Sequence, residues 1–263
     1  MRWYALPCLL ALWLAGAAVA EEAMPPLRYC DYPVYPPISW EDAAGEIRGV
    51  APRAVHAVLG RLGLEVEMVV LGNWRRCLTD AAEGRVDLVI AYRSPEREAY
   101  LAFGREPLLQ EEVALFYHRD RPLEVTRLDD LARYRGGLLF GESYGPRFDA
   151  FIEARGAVER VASNHQNFGK LIRGRIDYIA HERRTGELLI ERMPGAEAIE
   201  VLPLTLAEDA LYFAVARHSP LARRLDDLDR EVASLVASGR IEAWLRQSRQ
   251  AYRREAPLPE ELP

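Results

Sequence analysis

Cysteine and lysine are scarce in this chain, and no long apolar run follows its first residues. Three cysteines occur among 263 residues, and Lys170 is the only lysine, so arginine supplies nearly all of the positive charge. The formal net charge is −6, which lacks the basic excess that a nucleic-acid partner requires. After the N-terminus no segment approaches the run of about 18 apolar residues that a membrane helix needs. The composition therefore argues against a nucleic-acid-binding or membrane-spanning protein.

The first 20 residues have the order of a secretory signal. Arg2 is followed by an apolar run from Trp3 to Leu14, and small residues then end in Ala18-Val19-Ala20 before two glutamates. Charge, apolar segment and an A-x-A cleavage site in this order predict export and removal of residues 1–20. The alternative is a buried N-terminal helix.

Two cysteines, Cys30 and Cys77, follow this segment. An exported chain with two cysteines is a candidate for one disulfide, and the alternative is two buried free thiols. The five histidines show no ligand spacing around them, so neither a metal site nor another cofactor is expected.

Helical and strand patterns alternate along the chain. Typical strands have buried β-branched or leucine residues, and typical helices begin at a cap and end at a glycine. The predicted strands lie near 27–30, 66–71, 87–91, 137–140, 158–162, 177–180 and 211–216, and the helices near 51–62, 74–82, 147–154, 168–172, 221–237 and 239–252. This alternation predicts an α/β fold with a largely parallel sheet.

One pattern occurs twice. Gly84-Arg85-Val86-Asp87 follows a predicted helix and precedes a buried strand, and Gly174-Arg175-Ile176-Asp177 does the same 90 residues later. The match lies at the same point of two α/β units, so it predicts two similar lobes.

Several motifs in their order resemble those of the bacterial family 3 extracellular solute-binding proteins, the polar amino-acid receptors of ABC importers. The resemblance extends from about Leu27 to Tyr252. The motifs are Y-P-P-I at 35–38, G-x-x-P-R-A-V at 49–55, N-W-R-R-C-L at 73–78, E-G-R-V-D-L-V-I at 83–90, S-P-E-R at 94–97, F-G-E-S-Y at 140–144, G-R-I-D-Y-I-A-H-E at 174–182, L-Y-F-A-V-A-R at 211–217 and A-S-G-R-I-E-A-W-L at 237–245.

This resemblance implies a periplasmic-binding-protein fold of type II, with two α/β lobes and a ligand cleft between them. Lobe 1 would comprise residues 21–115 and 214–263, lobe 2 residues 116–213, and the crossovers would lie near 114–117 and 212–216. The implied partners are a small amino-acid-like molecule and an ABC permease in the inner membrane. The resemblance also implies that the protein is located in the periplasm and is a monomer.

The same resemblance implies three polar ligand contacts. Arg97 ends S-P-E-R, where the family's arginine holds a carboxylate with its forked guanidinium. Ser143 lies in a loop that offers N–H groups to anions, and Glu182 stands where the family places an acid for the ammonium group. The alternatives are a solvated Arg97, Ser143 as a helix cap, and Glu182 as a surface acid paired with a neighbouring arginine.

Aromatic residues complete the predicted site. Trp74 and Tyr35 match positions that enclose the ligand, and core packing is the alternative for both. The stretch before the family arginine usually carries small hydroxyl residues, but here Tyr92 is its bulkiest member. This departure disfavours a standard L-amino acid and makes Tyr92 a further predicted contact.

Two other functions share this fold. A periplasmic dehydratase acting on cyclohexadienyl acids would use a carboxylic acid in the cleft as general acid, and Glu142 or Glu182 would serve. A ligand-sensing module would need a signalling partner. No nucleophile triad or phosphate loop occurs, so a binding protein without enzyme activity is the favoured interpretation.

The export signal yields a direct prediction. Intact-mass measurement of the protein purified from the periplasm of an expressing bacterium should give a chain that begins at Glu21, because cleavage follows the A-x-A site. A chain that retains residues 1–20 would contradict it.

Overall fold

A computed structural model describes residues 25–257, and the predicted signal segment lies outside them. The strands are β1 (Leu27–Asp31), β2 (Val34–Tyr35), β3 (Ser39–Glu41), β4 (Ile47–Arg48), β5 (Val66–Val70), β6 (Leu88–Tyr92), β7 (Leu101–Phe103), β8 (Leu109–His118), β9 (Arg135–Leu139), β10 (Ala157–Val161), β11 (Tyr178–Glu182) and β12 (Ile199–Ala216). The α-helices are α1 (Val50–Arg61), α2 (Trp74–Ala82), α3 (Pro95–Glu98), α4 (Pro146–Arg155), α5 (Asn164–Ile172), α6 (Arg183–Ile190), α7 (Leu225–Ala237) and α8 (Arg240–Glu255). None of these helices is both long and apolar enough to cross a bilayer.

The predicted α/β fold is confirmed, and the sheet is mixed. Its strand order is β10-β9-β11-β8-β12-β6-β1-β5, with β7 paired to β12, and β2, β3 and β4 form a small separate sheet. Parallel pairs occur in both end regions, where β1 pairs with β5 and β6, and β9 pairs with β10 and β11. The long strands β8 and β12 pair antiparallel in the middle. They join a first half of the sheet, β6-β1-β5, to a second half, β11-β9-β10.

The two long strands change partners along their length. Leu211 to Val215 of β12 pair with β6, whereas Val113 to Tyr117 of β8 pair with β11. Between these regions, residues 110–112 lie opposite 208–210, and the two strands pair only with each other. This short two-stranded segment is the connection within the sheet between its halves. The predicted lobe boundaries at 115/116 and 213/214 stay a prediction.

Each half of the sheet is covered on both faces. On the first half, Tyr29 and Leu88 pack in a core with α1, α7 and α8, while the next residues along the strands, Cys30 and Val89, pack against α2. On the second half, Tyr178 packs on the side of α4 and Ile179 on the side of α5. Successive side chains of a strand point to opposite faces, so strands buried on both faces read as continuous apolar runs.

The repeated sequence pattern performs the same task in both halves. Gly84 and Gly174 have φ angles of +85° and +69°, which turn the chain after α2 and α5. The Asp87 carboxylate then accepts a hydrogen bond from the Arg28 N–H at 2.8 Å, and the Asp177 carboxylate accepts one from the Arg135 N–H at 2.7 Å. In each half an aspartate thus fixes the start of the first strand against the strand that follows the glycine turn.

Cys30 and Cys77 are joined by a disulfide. Cys30 lies in β1, Cys77 lies in α2, their Cα atoms are 5.7 Å apart, and both residues are buried. The bond ties α2 to the strand on which it packs. It closes a loop whose ends are 47 residues apart in sequence.

Removing this bond should destabilise the fold. The double variant Cys30→Ala/Cys77→Ala should lose about 2–4 kcal/mol of unfolding free energy in urea titration, because a cross-link over such a loop constrains the unfolded chain. Reduction should weaken the wild type similarly and leave the double variant unchanged. Two free thiols in denatured, unreduced protein would contradict the prediction.

Candidate functional site

A cavity of about 60 Å³ lies between the two halves of the sheet. It is bounded by residues at the carboxyl ends of strands and by the segments that follow them, the usual position of ligand sites in α/β folds. Its lining consists of Tyr32, Tyr35, Trp74, Ile90, Ala91, Tyr92, Arg97, Glu142, Glu182 and Leu211. Five of the six predicted ligand contacts therefore meet at one place, and Ser143 is not among the lining residues.

Arg97 is held in the interior by a short helix. Pro95 begins α3, and the Ser94 hydroxyl accepts a hydrogen bond from the Arg97 N–H at 3.3 Å. The Arg97 residue is only 4% exposed. Its Nη1 donates to the carbonyl oxygen of Tyr92 at 3.0 Å and its Nη2 to that of Gly141 at 3.2 Å. A buried Arg97 excludes the alternative of a solvated arginine at a helix start.

No carboxylate contacts the Arg97 guanidinium within the described part of the chain. Its charge lies instead against the Trp74 ring, with the guanidinium carbon 5.9 Å from the ring centroid. Trp74 is buried at the start of α2, where the Asn73 side chain caps the helix by accepting a hydrogen bond from the Arg76 N–H at 2.9 Å. The cap and the disulfide together fix this aromatic wall of the cavity.

Three polar side chains form a chain across the cavity. The hydroxyl oxygens of Tyr35 and Tyr92 are 2.5 Å apart. The Tyr92 hydroxyl also donates to Oε1 of Glu182 at 3.2 Å, from the first half of the sheet to the second. Tyr92 thus extends through the space between the halves and contacts the acid at the end of β11.

Glu182 is paired with a histidine rather than with an arginine. Its Oε2 lies 2.6 Å from Nδ1 of His181, and both side chains are at most 5% exposed. The neighbouring Arg183 and Arg184 pair elsewhere, with Glu112 and Glu111. Glu182 is therefore an interior acid of the cavity, and the alternative of a surface acid is excluded.

An asparagine orients this histidine. The side-chain Nδ2 of Asn164 donates to the Val34 carbonyl oxygen at 3.2 Å, so its Oδ1 is the atom that faces His181 Nε2, at 2.8 Å. The imidazole Nε2 therefore carries a hydrogen, and Nδ1 is the atom directed at Glu182. Sequence reasoning missed both Asn164 and His181, although His181 directly precedes the predicted Glu182.

The two acids of the cavity have opposite pKa shifts. Burial and the nearby Glu182 charge raise the pKa of Glu142 to about 8, although Arg97 and Arg160 oppose the rise. Burial also disfavours the charged form of Glu182, but the hydrogen bond and charge of His181 and the Tyr92 hydroxyl lower its pKa overall. At neutral pH the cavity therefore contains a protonated carboxyl group at Glu142 and an acid at Glu182 whose charge is compensated.

The loop after β9 contributes a backbone group and an acid. Gly141 turns with a φ of +81° and directs its carbonyl oxygen at Arg97, and Glu142 then lines the cavity. The Ser143 hydroxyl donates to Asp149 at 2.5 Å, and Asp149 also accepts from the Tyr144 N–H at 2.9 Å. Ser143 thus orders the loop, and its role as a ligand contact stays a prediction.

A further hydrogen bond joins the two halves beside the cavity. The Tyr32 hydroxyl donates to the carbonyl oxygen of Ala162 at 2.9 Å, which joins the loop after β1 to the end of β10. Tyr32, Ile90 and Leu211 line the cavity without having been singled out as contacts from the sequence. Among residues 25–257, no cluster of three or more side chains suited to a metal ion occurs.

The environment of Glu142 predicts a pH-dependent effect on stability. A pKa raised from 4.5 to about 8 means that folding favours the protonated form, so the wild type loses stability between these pH values. Glu142→Gln keeps the neutral form. Its unfolding free energy relative to wild type should rise by about 2 kcal/mol from pH 5 to pH 9. A shift of the pKa from 4.5 to about 8 allows at most about 5 kcal/mol, and the smaller value is expected because residue Glu142 is only half-buried.

Urea titration at pH 5, 7 and 9 measures this difference. Glu153→Gln, on the exposed side of α4, is the matched control and should stay within about 0.5 kcal/mol of wild type at every pH. An equal effect of Glu142→Gln at all three pH values would contradict the environment assigned to Glu142.

Solved structures with the same architecture have low sequence identity to this chain. An ancestral arginine-binding protein bound to arginine is 18% identical, with a TM-score of 0.73 over 84% of this chain and 96% of the other. An amino-acid ABC transporter substrate-binding protein from Streptococcus pneumoniae, bound to L-arginine, is 17% identical, with a TM-score of 0.72 over 86% and 94%. An ancestral amino-acid-binding protein described as a precursor of cyclohexadienyl dehydratase is 19% identical, with a TM-score of 0.69 over 84% and 93%.

No curated protein matches the chain in sequence. The sequence profile of one family does match, over residues 27–249. That range contains all twelve strands described above and every residue that lines the cavity. The chain belongs to the bacterial extracellular solute-binding proteins, family 3.

Proposed function

We propose that this chain is a periplasmic receptor that captures a small carboxylate-bearing, amino-acid-like solute and delivers it to an ABC importer. The observation that carries the proposal is the Arg97 guanidinium, a cation buried beside a cavity without a carboxylate in contact. Burial of a charge is costly unless the charge is paired. A ligand carboxylate would supply the missing partner.

The geometry of Arg97 suits this task. A guanidinium has five N–H donors, and two nitrogens of Arg97 each donate to one backbone carbonyl oxygen. Donors remain for a carboxylate, which a guanidinium binds through two parallel hydrogen bonds. The carbonyl contacts hold the side chain in place before the ligand arrives, so little side-chain entropy is lost on binding.

The family and the related structures support the class of ligand. The two arginine-bound neighbours are named as binding proteins for a molecule with a carboxylate, and they share this fold. Aromatic side chains at Trp74, Tyr32 and Tyr35 give this cavity apolar walls around its charged groups, as is typical of small-molecule sites. The same proposal includes that the protein is exported, that it is a monomer and that its partner is an ABC permease.

Lobe closure is the proposed mechanism of capture. The lobes would be residues 21–115 with 214–263, and residues 116–213. Hydrogen bonds from Tyr32 to Ala162 and from Arg97 to Gly141 join the two halves across the cavity. Opening would break these contacts and bend the two-stranded segment of β8 and β12, as in hinge motions around a bound ligand.

A dehydratase is a second candidate because of Glu142. A carboxyl group with a pKa of about 8 is protonated at neutral pH and suits a general acid, and it lines the same cavity as Arg97. The volume opposes this candidate, since a cavity of about 60 Å³ is far smaller than the roughly 150 Å³ cavity that holds one benzene ring. A spectrophotometric assay with prephenate and arogenate separates the two functions, and turnover lost in Glu142→Gln would favour the enzyme.

The carboxylate anchor can be tested after a screen. Thermal-shift measurements with glycine, L-alanine, L-glutamate, L-arginine, L-lactate and pyruvate identify a ligand, because a solute at 100 times its Kd adds about 2.7 kcal/mol of stability. Arg97→Ala and Arg97→Lys should then bind that solute about 30-fold to several thousand-fold more weakly, since lysine cannot reproduce the planar fork. Calorimetry measures the loss.

Arg93→Ala is the matched control for these variants. Arg93 lies four residues earlier, is partly exposed and stacks on Phe103 and Tyr212 rather than lining the cavity. Its replacement should leave affinity within about threefold of wild type, or under about 1 kcal/mol. Binding by folded Arg97→Ala within the same threefold range would overturn the assigned anchor.

A further inference from the structure

A continuous path of polar contacts crosses the cavity and returns to its starting strand. It begins at Tyr35 of β2, passes through Tyr92 to Glu182, and continues through His181 and Asn164 to the carbonyl oxygen of Val34, also in β2. Every step is made by the protein's own groups. The first half of the sheet is thereby connected to the second half twice, without a ligand.

The His181 imidazole covers one of the two carboxylate oxygens of Glu182. Nε2 of His181 faces Asn164, and Nδ1 lies 2.6 Å from Oε2 of Glu182. Both side chains are at most 5% exposed. Oε2 is therefore not open to a ligand while this contact is kept.

A ligand ammonium group would therefore find both oxygens of Glu182 in contact with other side chains. Oε2 of Glu182 is in contact with His181, and Oε1 accepts from Tyr92. An ammonium group placed there would lie against His181 and would have to displace the Tyr92 hydroxyl. The Tyr92 phenol occupies the position of such a donor and needs no counter-charge, because burial raises its pKa well above the usual value and keeps it neutral.

The remaining acid does not replace Glu182 in this role. Glu142 lines the same cavity, and burial raises its pKa to about 8, which favours the protonated carboxyl group at pH 7. A neutral carboxyl group donates one hydrogen bond, which suits an uncharged hydroxyl or carbonyl oxygen of a ligand. Glu182 already contacts His181 and Tyr92, and Arg97 has no carboxylate in contact among the described residues, so the cavity suits a ligand with one carboxylate.

The volume favours a short ligand. The cavity measures about 60 Å³, well below the roughly 150 Å³ of a cavity that holds one benzene ring. A carboxylate of two or three carbons therefore requires less displacement of Tyr92 and its neighbours than arginine does.

We propose that the cavity binds a short 2-hydroxy or 2-oxo carboxylate in preference to an amino acid, because Tyr92 fills the place of an ammonium group and His181 covers the second oxygen of Glu182. The carboxylate would lie on Arg97, and the oxygen on the second carbon would face Glu142. This proposal rests on the proposed function, since it uses the same carboxylate anchor.

Isosteric ligand pairs test the proposal on the exported wild-type protein. L-lactate, pyruvate and L-alanine share a three-carbon skeleton and differ at the second carbon, and glycolate and glycine form a matching shorter pair. Calorimetry at pH 7 should show L-lactate or pyruvate binding at least tenfold more tightly than L-alanine, and glycolate more tightly than glycine. L-Alanine binding as tightly as both of its partners would overturn the proposal.

Two variants at one position test the role of the tyrosine. Tyr92→Ser removes the ring and frees Oε1 of Glu182, so the ratio of L-alanine to L-lactate affinity should rise at least tenfold. Tyr92→Phe removes only the hydroxyl and keeps the ring between the ligand and Glu182, so it should keep the preference for L-lactate over L-alanine. An unchanged ratio in Tyr92→Ser that is folded by circular dichroism would contradict the assigned role.

The outcomes separate this proposal from the proposed function. If L-alanine or another amino acid binds best and depends on Arg97, the receptor function stands and the 2-hydroxy or 2-oxo preference is wrong. If L-lactate or pyruvate binds equally well in Arg97→Ala, the carboxylate anchor is wrong and both fail. If none of the five probes binds, this proposal fails, and the wider solute screen decides the receptor function.

Discussion

The guanidinium of Arg97 lies in the protein interior with two backbone carbonyl oxygens as its hydrogen-bond acceptors and an indole ring beside it. Carbonyl dipoles only partly compensate a full charge that has lost its water. The fold must therefore hold the charge by other means, and it does so with the capped helix α3, the Gly141 turn and the anchored Trp74. The arrangement around the cavity follows from the need to keep one cation buried and available.

The site depends on both halves of the sheet because neither half contains a complete set of partners. On the side of the first half lie Arg97, Trp74 and the three lining tyrosines, Tyr32, Tyr35 and Tyr92. On the side of the second half lie Glu142, after β9, and Glu182, at the end of β11. The antiparallel pair of β8 and β12 brings these sets together, and the segment where the two strands have no third neighbour lies next to the cavity at Leu211. Binding in this cavity would consequently be coupled to the relative position of the halves.

Local patterns in the sequence predicted much of this structure. The cap at Asn73, the glycine at 84 and the apolar run after Asp87 determine α2 and β6 through contacts within a few residues, and α2 has the predicted bounds. The helix α6 was not predicted, because its first residue follows Glu182 directly and no side chain caps it. The 18 residues of β12 were recognised only at their end, since the strand includes Pro203 and a polar stretch where it passes between the halves.

The predicted site residues were those whose positions the family motifs specify. Arg97, Trp74 and Glu182 could be singled out on that basis, and they do line one cavity. The contacts that set the chemistry of the cavity join residues far apart in sequence: 57 residues separate Tyr35 from Tyr92, and 90 separate Tyr92 from Glu182. No local pattern records such pairs, so the contacts around Glu182 and the small volume of the cavity could be recognised only in the three-dimensional structure.

The path from Tyr35 to Val34 has a consequence for how full and empty forms differ. A ligand can shift an opening equilibrium only by the difference between its affinities for the two forms. If the halves open and close as proposed, contacts such as Tyr92 to Glu182 and Asn164 to Val34 would belong to the closed form. They would lower the free energy of that form by themselves, so less of the ligand's binding energy would be used to bring the halves together. A membrane partner that recognised only the closed form would then also bind molecules without a solute. It would have to distinguish the two by an effect of the solute's contact with Arg97.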